Sequence, residues 1–136
     1  MTSRLNPYIS FQDTARQALD FYRSVFGGEL AVSTFGEAGA AGGPDADKVM
    51  HGQLETPAGY TLMAADTPTG MDRTDGSSIS VSLSGDDGDE LRGYFAALSD
   101  GGTVTVPLEK QMWGDEFGMC VDRFGIAWMV NIALPG

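Results

Sequence analysis

The stretch that decides the fold is residues 112–131, which read MWGDEFGMCVDRFGIAWMVN. It predicts two β-strands joined by a tight turn at residues 122–125, where Asp and Gly supply the turn geometry. Alternation places Trp113 with Phe117 on one face of the first strand, and Trp128 with Val130 on a face of the second. A hairpin with this much apolar area needs a cover, and its aromatic residues suit the wall of a core or of a ligand site.

The chain before this hairpin predicts a strand and a helix. Residues 79–83 alternate as a strand, and Asp86 or Asp87 is placed to cap a helix. The helix has an apolar stripe at helical spacing, and Gly101-Gly102 ends it. The second half of the chain is therefore predicted to begin near residue 78.

The first half predicts the same order of elements. A strand at residues 5–11 precedes a helix that has a candidate capping box at Thr14 and Gln17 and that ends at Gly27-Gly28. Further strands follow from Leu30, over residues 48–55 and over residues 60–65. Residues 36–47 predict an exposed loop, and residues 66–77 a linker.

A constant offset relates the two halves. Gly27-Gly28 and Gly101-Gly102 lie 74 positions apart, and the same offset takes Phe21 to Phe95 and Val32 to Val106. One offset that matches glycine caps, helix aromatics and the next strand predicts an internal duplication. The predicted fold class is therefore α+β, a single domain of two βαβββ modules at about residues 1–66 and 78–136.

Composition restricts the classes of partner. The chain has 136 residues and a formal net charge of −11, which opposes binding to nucleic acid or to an anionic membrane. No apolar run approaches the roughly 20 residues that span a bilayer, and the first residues do not resemble a signal peptide. Cys120 is the single cysteine, which suits a reducing compartment. We expect a cytoplasmic protein.

Several stretches resemble one protein family, the PhnB-like or 3-demethylubiquinone methyltransferase-like branch of the vicinal oxygen chelate superfamily, which includes glyoxalase I, bleomycin-resistance proteins and extradiol dioxygenases. The matching stretches are NPYISF (6–11), ALDFYRSVFGGEL (18–30), the pair Met50-His51, LMAAD (62–66), Trp113, and FGMCVDRFGIAWMVN (117–131). The resemblance implies two modules that form a half-open barrel around a cavity, usually in a homodimer. No glycine-rich loop follows a strand to hold a methyl donor, so the methyltransferase label is not carried over.

The resemblance also implies four positions for a divalent metal in the glyoxalase-like members. They correspond here to Asn6, Met63, Ser80 and Met129. Neutral amide and hydroxyl oxygens with two thioethers make a poor site for zinc, nickel, iron or manganese. We therefore expect no catalytic metal and no cofactor, and glyoxalase or dioxygenase chemistry is disfavoured.

His51 is the candidate catalytic residue, because it is the only histidine and its side chain titrates near neutral pH. Period-two counting places it on one strand face with Gln53 and Glu55, so one hypothesis has His51 as base and Glu55 or Gln53 as its orienting partner. The alternative is a partly exposed strand histidine with a structural role. Cys120 has no base nearby in the sequence and is a poor candidate nucleophile.

The aromatic residues of the hairpin are candidates for ligand binding. Trp113 and Phe117 suit a planar or cationic ligand, since aromatic faces attract cations. For Trp128 a place in the core is favoured. The residues expected to contact a ligand are Tyr8, Gln53, Tyr60, Met63, Trp113, Phe117 and Met129. The acids at residues 86–90 lack the spacing of a calcium loop and suit the first turn of a helix.

Three functions remain open from the sequence. The preferred hypothesis is a metal-free, homodimeric protein that binds a small aromatic or cationic organic molecule in its cavity. The alternative is a lyase, isomerase or dioxygenase-like enzyme that uses His51 and Glu55. The third is an interaction module whose cavity is filled by its own side chains. Whether the loop at residues 36–47 closes over the cavity is also left open.

Overall fold

The structure is a computed structural model that describes residues 5–40, 43–70, 76 and 79–134. The chain divides into two compact units, residues 1–75 (unit 1) and residues 76–136 (unit 2). Most of the predicted linker, residues 71–75 and 77, lies outside the described residues, and Asp66 is the last residue of a strand rather than part of a linker.

Unit 1 has five regular elements. They are β1 (Tyr8–Phe11), α1 (Ala15–Phe26), β2 (Glu29–Thr34), β3 (Val49–Glu55) and β4 (Thr61–Asp66). The sheet order is β1-β4-β3-β2, in which β1 is parallel to β4 and the other neighbours are antiparallel. The connection from β2 to β3, predicted as a loop, contains a short helical turn at Gly36–Ala40 that is interrupted at Gly39.

Unit 2 repeats this arrangement. Its elements are β5 (Val81–Gly85), α2 (Gly88–Ser99), β6 (Thr103–Lys110), β7 (Glu116–Val121) and β8 (Ala127–Ile132). The sheet order is β5-β8-β7-β6, again with one parallel pair, β5 and β8. The predicted α+β class and the two βαβββ modules are confirmed. Both sheets are open, because each has two edge strands.

The strand register supports an internal duplication. Tyr8 pairs with Met63 in unit 1, and Ser82 pairs with Met129 in unit 2, so the offset is 74 (82 − 8) before the connection and 66 (129 − 63) after it. The difference of eight falls in the connection between β2 and β3, which is the longer of the two equivalent connections. The β1–β4 and β5–β8 pairs therefore match residue for residue, whereas β6 has register shifts after Val104 that β2 does not share.

The predicted match of Phe21 with Phe95 is wrong by one residue. Tyr22 is fully buried in α1 and Phe95 is buried in α2, whereas Phe21 is part-exposed. The helices are related by an offset of 73 (88 − 15), because two residues connect β5 to α2 where three connect β1 to α1. After the helix, Asp100 lies between the end of α2 and Gly101, and α1 has no counterpart of it. The extra residue restores the offset of 74 before the next strand.

Each helix covers one face of its own sheet. In unit 1 the helix buries Ala15, Ala18, Leu19, Tyr22 and Phe26 over the strand residues Leu54, Leu62 and Ala64. A Cβ atom at Gly52 would lie 2.3 Å from Cδ1 of Leu19, so this glycine lets the helix approach the sheet closely. We call the opposite face of each sheet its distal face.

The two helices are capped in different ways. Asp87 accepts a hydrogen bond from the Glu90 amide at 3.1 Å, so its prediction as a cap is confirmed. The capping box predicted at Thr14 is wrong, because this side chain makes no capping hydrogen bond. Instead, the buried Asp66 accepts from the Ala15 amide at 2.9 Å and from the Val49 amide at 3.0 Å. A carboxylate distant in sequence thus satisfies the first turn of α1.

A second buried aspartate organises the turn between β7 and β8. The side chain of Asp122 accepts from the amides of Phe124 at 2.8 Å and Ile126 at 3.1 Å, and from Nε1 of Trp128 at 2.9 Å. The predicted turn at residues 122–125 is confirmed, and it orients Trp128, the largest fully buried side chain among the described residues. Among the described residues, no helix is long and apolar enough to cross a membrane.

Candidate functional site

The distal face of unit 2 begins at the turn between β6 and β7. This turn is closed by two backbone hydrogen bonds, from the Gln111 amide to the Asp115 carbonyl at 2.8 Å and from the Gly114 amide to the Gln111 carbonyl at 3.0 Å. The alternation predicted Trp113 to lie in the strand, but β7 begins at Glu116, so Trp113 lies in the turn before it. Its side chain is 59% exposed.

Aromatic and thioether side chains form a stripe from this turn along the distal face. The rings of Trp113 and Phe117 meet edge to face, with centroids 5.9 Å apart. Two residues farther along β7, Met119 pairs with Met129 of β8. The structure therefore brings together three residues expected to contact a ligand, Trp113, Phe117 and Met129.

Trp128 lies on the other face of the same hairpin. It is 1% exposed and donates its indole N–H to Asp122 at 2.9 Å. Its interpretation as a core residue is confirmed, so the two tryptophans of the hairpin have opposite environments.

Two neighbouring acids at the start of β7 also differ in their partners. Glu116 receives two charged hydrogen bonds from Arg92, at 2.9 Å from Nε and 3.1 Å from Nη2, and this contact raises the pKa of Arg92. Asp115 receives a hydrogen bond from the neutral amide of Asn131, with Nδ2 at 3.1 Å from Oδ2. The charge of Glu116 is balanced by the ion pair with Arg92, whereas the partner of Asp115 is the neutral side-chain amide of Asn131.

The distal face of unit 1 is more polar. Tyr8 of β1, Met63 of β4 and Gln53 of β3 lie side by side across three strands. The ring of His51 lies next to that of Tyr8, with centroids 5.8 Å apart, and Gln53 donates to Glu55 at 3.1 Å. Five of the predicted site residues therefore share this face.

His51 and Glu55 do not form a direct pair along this face. They lie four positions apart on β3, which at about 3.3 Å per residue places their Cα atoms about 13 Å apart, with Gln53 between them. Tyr60, another predicted ligand contact, lies just before β4, and its ring meets that of Phe26 edge to face at 5.9 Å. Tyr60 therefore joins the helix layer of unit 1.

The four positions implied for a metal are equivalent in pairs. Asn6 and Ser80 each lie two residues before the strand residues Tyr8 and Ser82, which pair with Met63 and Met129. The donor atoms are an amide, a hydroxyl and two thioethers, which do not fit the hard or borderline metals of glyoxalase-like sites. Among the described residues, no three His, Cys, Asp or Glu side chains are grouped to hold an ion.

Two further candidates have structural partners. Burial, and then the charge of Asp122, raise the pKa of Cys120 to about 11, which keeps the thiol protonated at neutral pH and disfavours a nucleophile. In the acidic segment at residues 86–90, Asp87 caps α2 and Glu90 accepts from the hydroxyl of Tyr94. These acids serve the helix.

Sequence reasoning missed Asn131 as a site residue. It lies directly opposite Phe117 in the β7–β8 pair, and its amide holds Asp115. The signal was present in the alternation of β8, because Asn131 shares a face with Met129, but only the turn geometry brings Asp115 back over that face.

Comparisons with known proteins agree on the fold. Residues 3–131 match the family described as 3-demethylubiquinone-9 3-methyltransferase. The crystal structure of protein PA1353 from Pseudomonas aeruginosa is 35% identical, with a TM-score of 0.86 over 97% of this chain and 98% of that one.

Two further solved structures are more distant in sequence. A putative 3-demethylubiquinone-9 3-methyltransferase, PhnB protein, from Bacillus cereus is 22% identical, with a TM-score of 0.76 over 96% of this chain and 100% of that one. A glyoxylase/bleomycin resistance protein/dioxygenase domain from Frankia sp. is 15% identical, with a TM-score of 0.68 over 100% of this chain and 95% of that one. At these identities the likeness concerns the fold alone.

Proposed function

This chain belongs to the 3-demethylubiquinone-9 3-methyltransferase family, as its PhnB-like stretches predicted, and we propose that it binds a small aromatic or cationic organic molecule without a catalytic metal. The single observation that supports the proposal most is the aromatic stripe on the distal face of unit 2. Trp113 and Phe117 present ring surface there, and Met119 and Met129 continue it with deformable thioethers.

The exposure of Trp113 supports a binding role for this stripe. A side chain of this size gains most when it is buried, and here 59% of it is exposed beside a second aromatic ring. Exposed apolar surface that is continuous over several side chains marks interaction sites and ligand-binding grooves. A ligand that covers the two rings removes this surface from water.

The metal-free part of the proposal has its own test. Elemental analysis of protein purified without chelator should find well under one divalent ion per chain, because none of the four implied positions has a histidine or a carboxylate. Addition of zinc, nickel or manganese should leave the melting temperature unchanged, since an ion that binds the native state would raise it. One tightly held ion per chain would overturn this part of the proposal.

The binding part is tested with two probes of the same shape. They are 4-tert-butylphenol, which is neutral, and its cationic counterpart (4-hydroxyphenyl)trimethylammonium. Each is titrated into the isotopically labelled protein while backbone amide resonances are followed by NMR. We expect saturable shifts at residues 113–119 and 129–131, for at least one probe.

Matched variants locate the site. Trp113→Ala should weaken the binding of the probe at least about fivefold, since stacking on one aromatic face contributes about 1 kcal/mol or more. Met112→Ala is the control, because this neighbouring side chain is 99% exposed and has no ring to stack. Failure of both probes, or equal effects of the two variants, would overturn the proposal.

A second candidate function rests on the contact between Tyr8 and His51. An imidazole beside a phenol on the distal face of unit 1 has the groups needed for proton transfer. An enzyme that uses His51 would lose turnover in His51→Ala with little change in melting temperature. In the same NMR titrations, shifts confined to residues 8, 51–55 and 63 would favour this candidate.

We also propose a homodimer. Within the part of the chain that the structure describes, both sheets end in edge strands with no strand of the same sheet on their outer side, namely β1 and β2 in unit 1 and β5 and β6 in unit 2. A second copy of the chain is one way to cover such edges. Sedimentation equilibrium should give twice the chain mass of 14.4 kDa, and a mass of one chain at high concentration would contradict the dimer.

A further inference from the structure

We infer that Asp115, held in place by Asn131, recognises a positive charge on the ligand, so the ligand class is a flat aromatic molecule that carries an ammonium or similar cationic group. The inference rests on the proposed binding at the Trp113–Phe117 pair and adds the chemical class of the ligand. It assigns one charge-recognising residue and one positioning residue.

The first support is the contrast between the two adjacent acids. Glu116 already has a cation, because Arg92 contacts both of its carboxylate oxygens. Asp115 is half-buried, and its one hydrogen bond from a described side chain comes from a neutral amide. A carboxylate that is partly removed from water and faces only a dipole has an uncompensated charge, and a bound cation supplies the compensation.

The second support is the position of the carboxylate. Asn131 lies directly opposite Phe117 in the sheet, and its side chain draws the Asp115 carboxylate toward that pair. The ring of Trp113 meets the ring of Phe117 at 5.9 Å. One small molecule can therefore place its ring on the aromatic pair and its cationic group at Asp115.

The third support is that the turn does not need this contact. Backbone hydrogen bonds from Gln111 to Asp115 and from Gly114 to Gln111 already close it. Gly114 has a φ of 103°, which a glycine adopts without strain, so the turn geometry is also satisfied locally. The hydrogen bond from Asn131 fixes a side-chain direction and leaves the backbone path unchanged.

Aromatic rings strengthen the same preference. A cation near the face of a tryptophan or phenylalanine ring is attracted by the ring quadrupole, and the attraction increases where water is partly excluded. Asp115 and the two rings therefore act on the same charge. We expect the cationic probe to bind about tenfold more tightly than the neutral probe of identical shape.

The test compares this preference in two charge-matched variants. Asp115→Asn keeps a group that can accept from Asn131 and removes one negative charge, and Glu116→Gln removes the same charge on the residue beside it. For each variant, the dissociation constant of the cationic probe is divided by that of the neutral probe. This ratio should move about fivefold toward one in Asp115→Asn and stay at its wild-type value in Glu116→Gln. Increasing salt should weaken binding of the cation alone.

Asn131 is tested as a positioning residue. Asn131→Ala should reduce the preference for the cation by about threefold while the affinity of the neutral probe stays within a factor of two. A merely structural role would weaken both probes alike, so the ratio separates the two possibilities. The same ratio is measured in wild type at each salt concentration.

The outcomes separate this inference from the proposed function. Equal binding of the two probes to wild type, or equal effects of Asp115→Asn and Glu116→Gln, would overturn the charge-recognising role and leave aromatic binding intact. If neither probe binds, the proposed function and this inference are both overturned.

Discussion

Unit 1 joins its helix to its sheet through Asp66, whereas unit 2 places its buried carboxylate, Asp122, in the turn of a hairpin. At the position equivalent to Asp66, unit 2 has the buried Ile132, and at the position equivalent to Asp122, unit 1 has Thr56. The hydroxyl of Thr56 accepts from the Tyr60 amide at 3.1 Å. The two units share a backbone register but satisfy their buried amides with different side chains.

The distal faces differ in the same manner. In unit 1 this face presents titratable and amide groups, including His51, Gln53 and Glu55, and in unit 2 it presents Phe117 and Met119 at and near the corresponding strand positions. The register of each sheet is fixed by its backbone pairing and by the side chains that pack against the helix. The distal side chains are therefore free to diverge, which is where we place the ligand chemistry.

The largest losses of stability are expected at two equivalent glycines. A Cβ atom at Gly28 would lie 2.1 Å from the carbonyl oxygen of Glu55, and one at Gly102 would lie 2.1 Å from that of Val121. Each glycine lies just before an edge strand, β2 or β6, and lets the chain pass close to the backbone at the end of the neighbouring strand, β3 or β7. Gly28→Ala and Gly102→Ala should each lower the free energy of unfolding by about 3 kcal/mol or more, as measured by native-state hydrogen exchange.

Gly28 should be the more sensitive of the pair, because its φ of 109° adds backbone strain of about 1–2 kcal/mol for an alanine. Gly93→Ala is the control. Gly93 is an exposed glycine within α2, and an added Cβ there meets open space. It should stabilise unit 2 by about 0.5–1 kcal/mol, since alanine has the better helix propensity. Equal effects at all three glycines would show that the close approaches do not matter.

Removal of the two buried carboxylates should have the next largest effect. Asp122→Ala leaves three donors without their acceptor and should cost about 3–4 kcal/mol, and Asp66→Ala leaves two and should cost about 2–3 kcal/mol. Hydrogen exchange of amides in β3 and β4 reports unit 1, and exchange in β7 and β8 reports unit 2.

The two variants should accelerate exchange at different residues. Asp66→Ala should accelerate exchange at Ala15 and Val49 first, and Asp122→Ala should accelerate it at Phe124 and Ile126. Asp86→Ala is the control, because this aspartate is exposed beside the cap of α2. A loss below about 1 kcal/mol in either buried variant would mean that water replaces the carboxylate.

The fold could be predicted because its signals are local and repeated. Glycine pairs at one offset, alternation in the last hairpin and the cap at Asp87 all act within a few residues. The cap of α1 could not be predicted, because Asp66 is 51 positions from Ala15 and no local pattern marks it. Thr14 satisfied the local pattern for a cap but makes no capping hydrogen bond, and the side-chain acceptor of this turn is Asp66, which accepts from the Ala15 amide.

The candidate site could be predicted only in part, for a related reason. Period-two counting correctly grouped His51, Gln53 and Glu55, but it extended β7 backward through Trp113, where a turn intervenes. The partnership of Asp115 with Asn131 depends on that turn. Strand alternation predicts which face a residue shares, and it does not predict which side chains a turn folds back onto that face.

The smallest effect concerns the longer connection in unit 1, between β2 and β3. Lys48 contacts Asp13 at 2.8 Å and Asp45 at 2.9 Å, and Asp45 also accepts from the Thr69 hydroxyl at 2.6 Å. The hydrogen bond from Thr69, and then that from Lys48, lower the pKa of Asp45, while Asp13 and then Asp45 raise the pKa of Lys48. The shorter connection in unit 2 is closed by the backbone bonds of residues 111–115.

These shifts predict that the connection loosens at both ends of the pH range. A lowered carboxyl pKa stabilises the folded state above its ordinary value of 3.8 and stops doing so as the pH falls through the lowered value. A raised lysine pKa stabilises it below 10.5 and stops doing so as the pH rises through the raised value. Hydrogen exchange at residues 45–48, corrected for intrinsic rates, should therefore be slowest between about pH 5 and 9.

Asp45→Asn should remove the acid-side change and Asp47→Asn should not, because Asp47 forms no ion pair among the described residues. If exchange at residues 111–115 changed with pH to the same extent, the difference between the two connections would not lie in these charges.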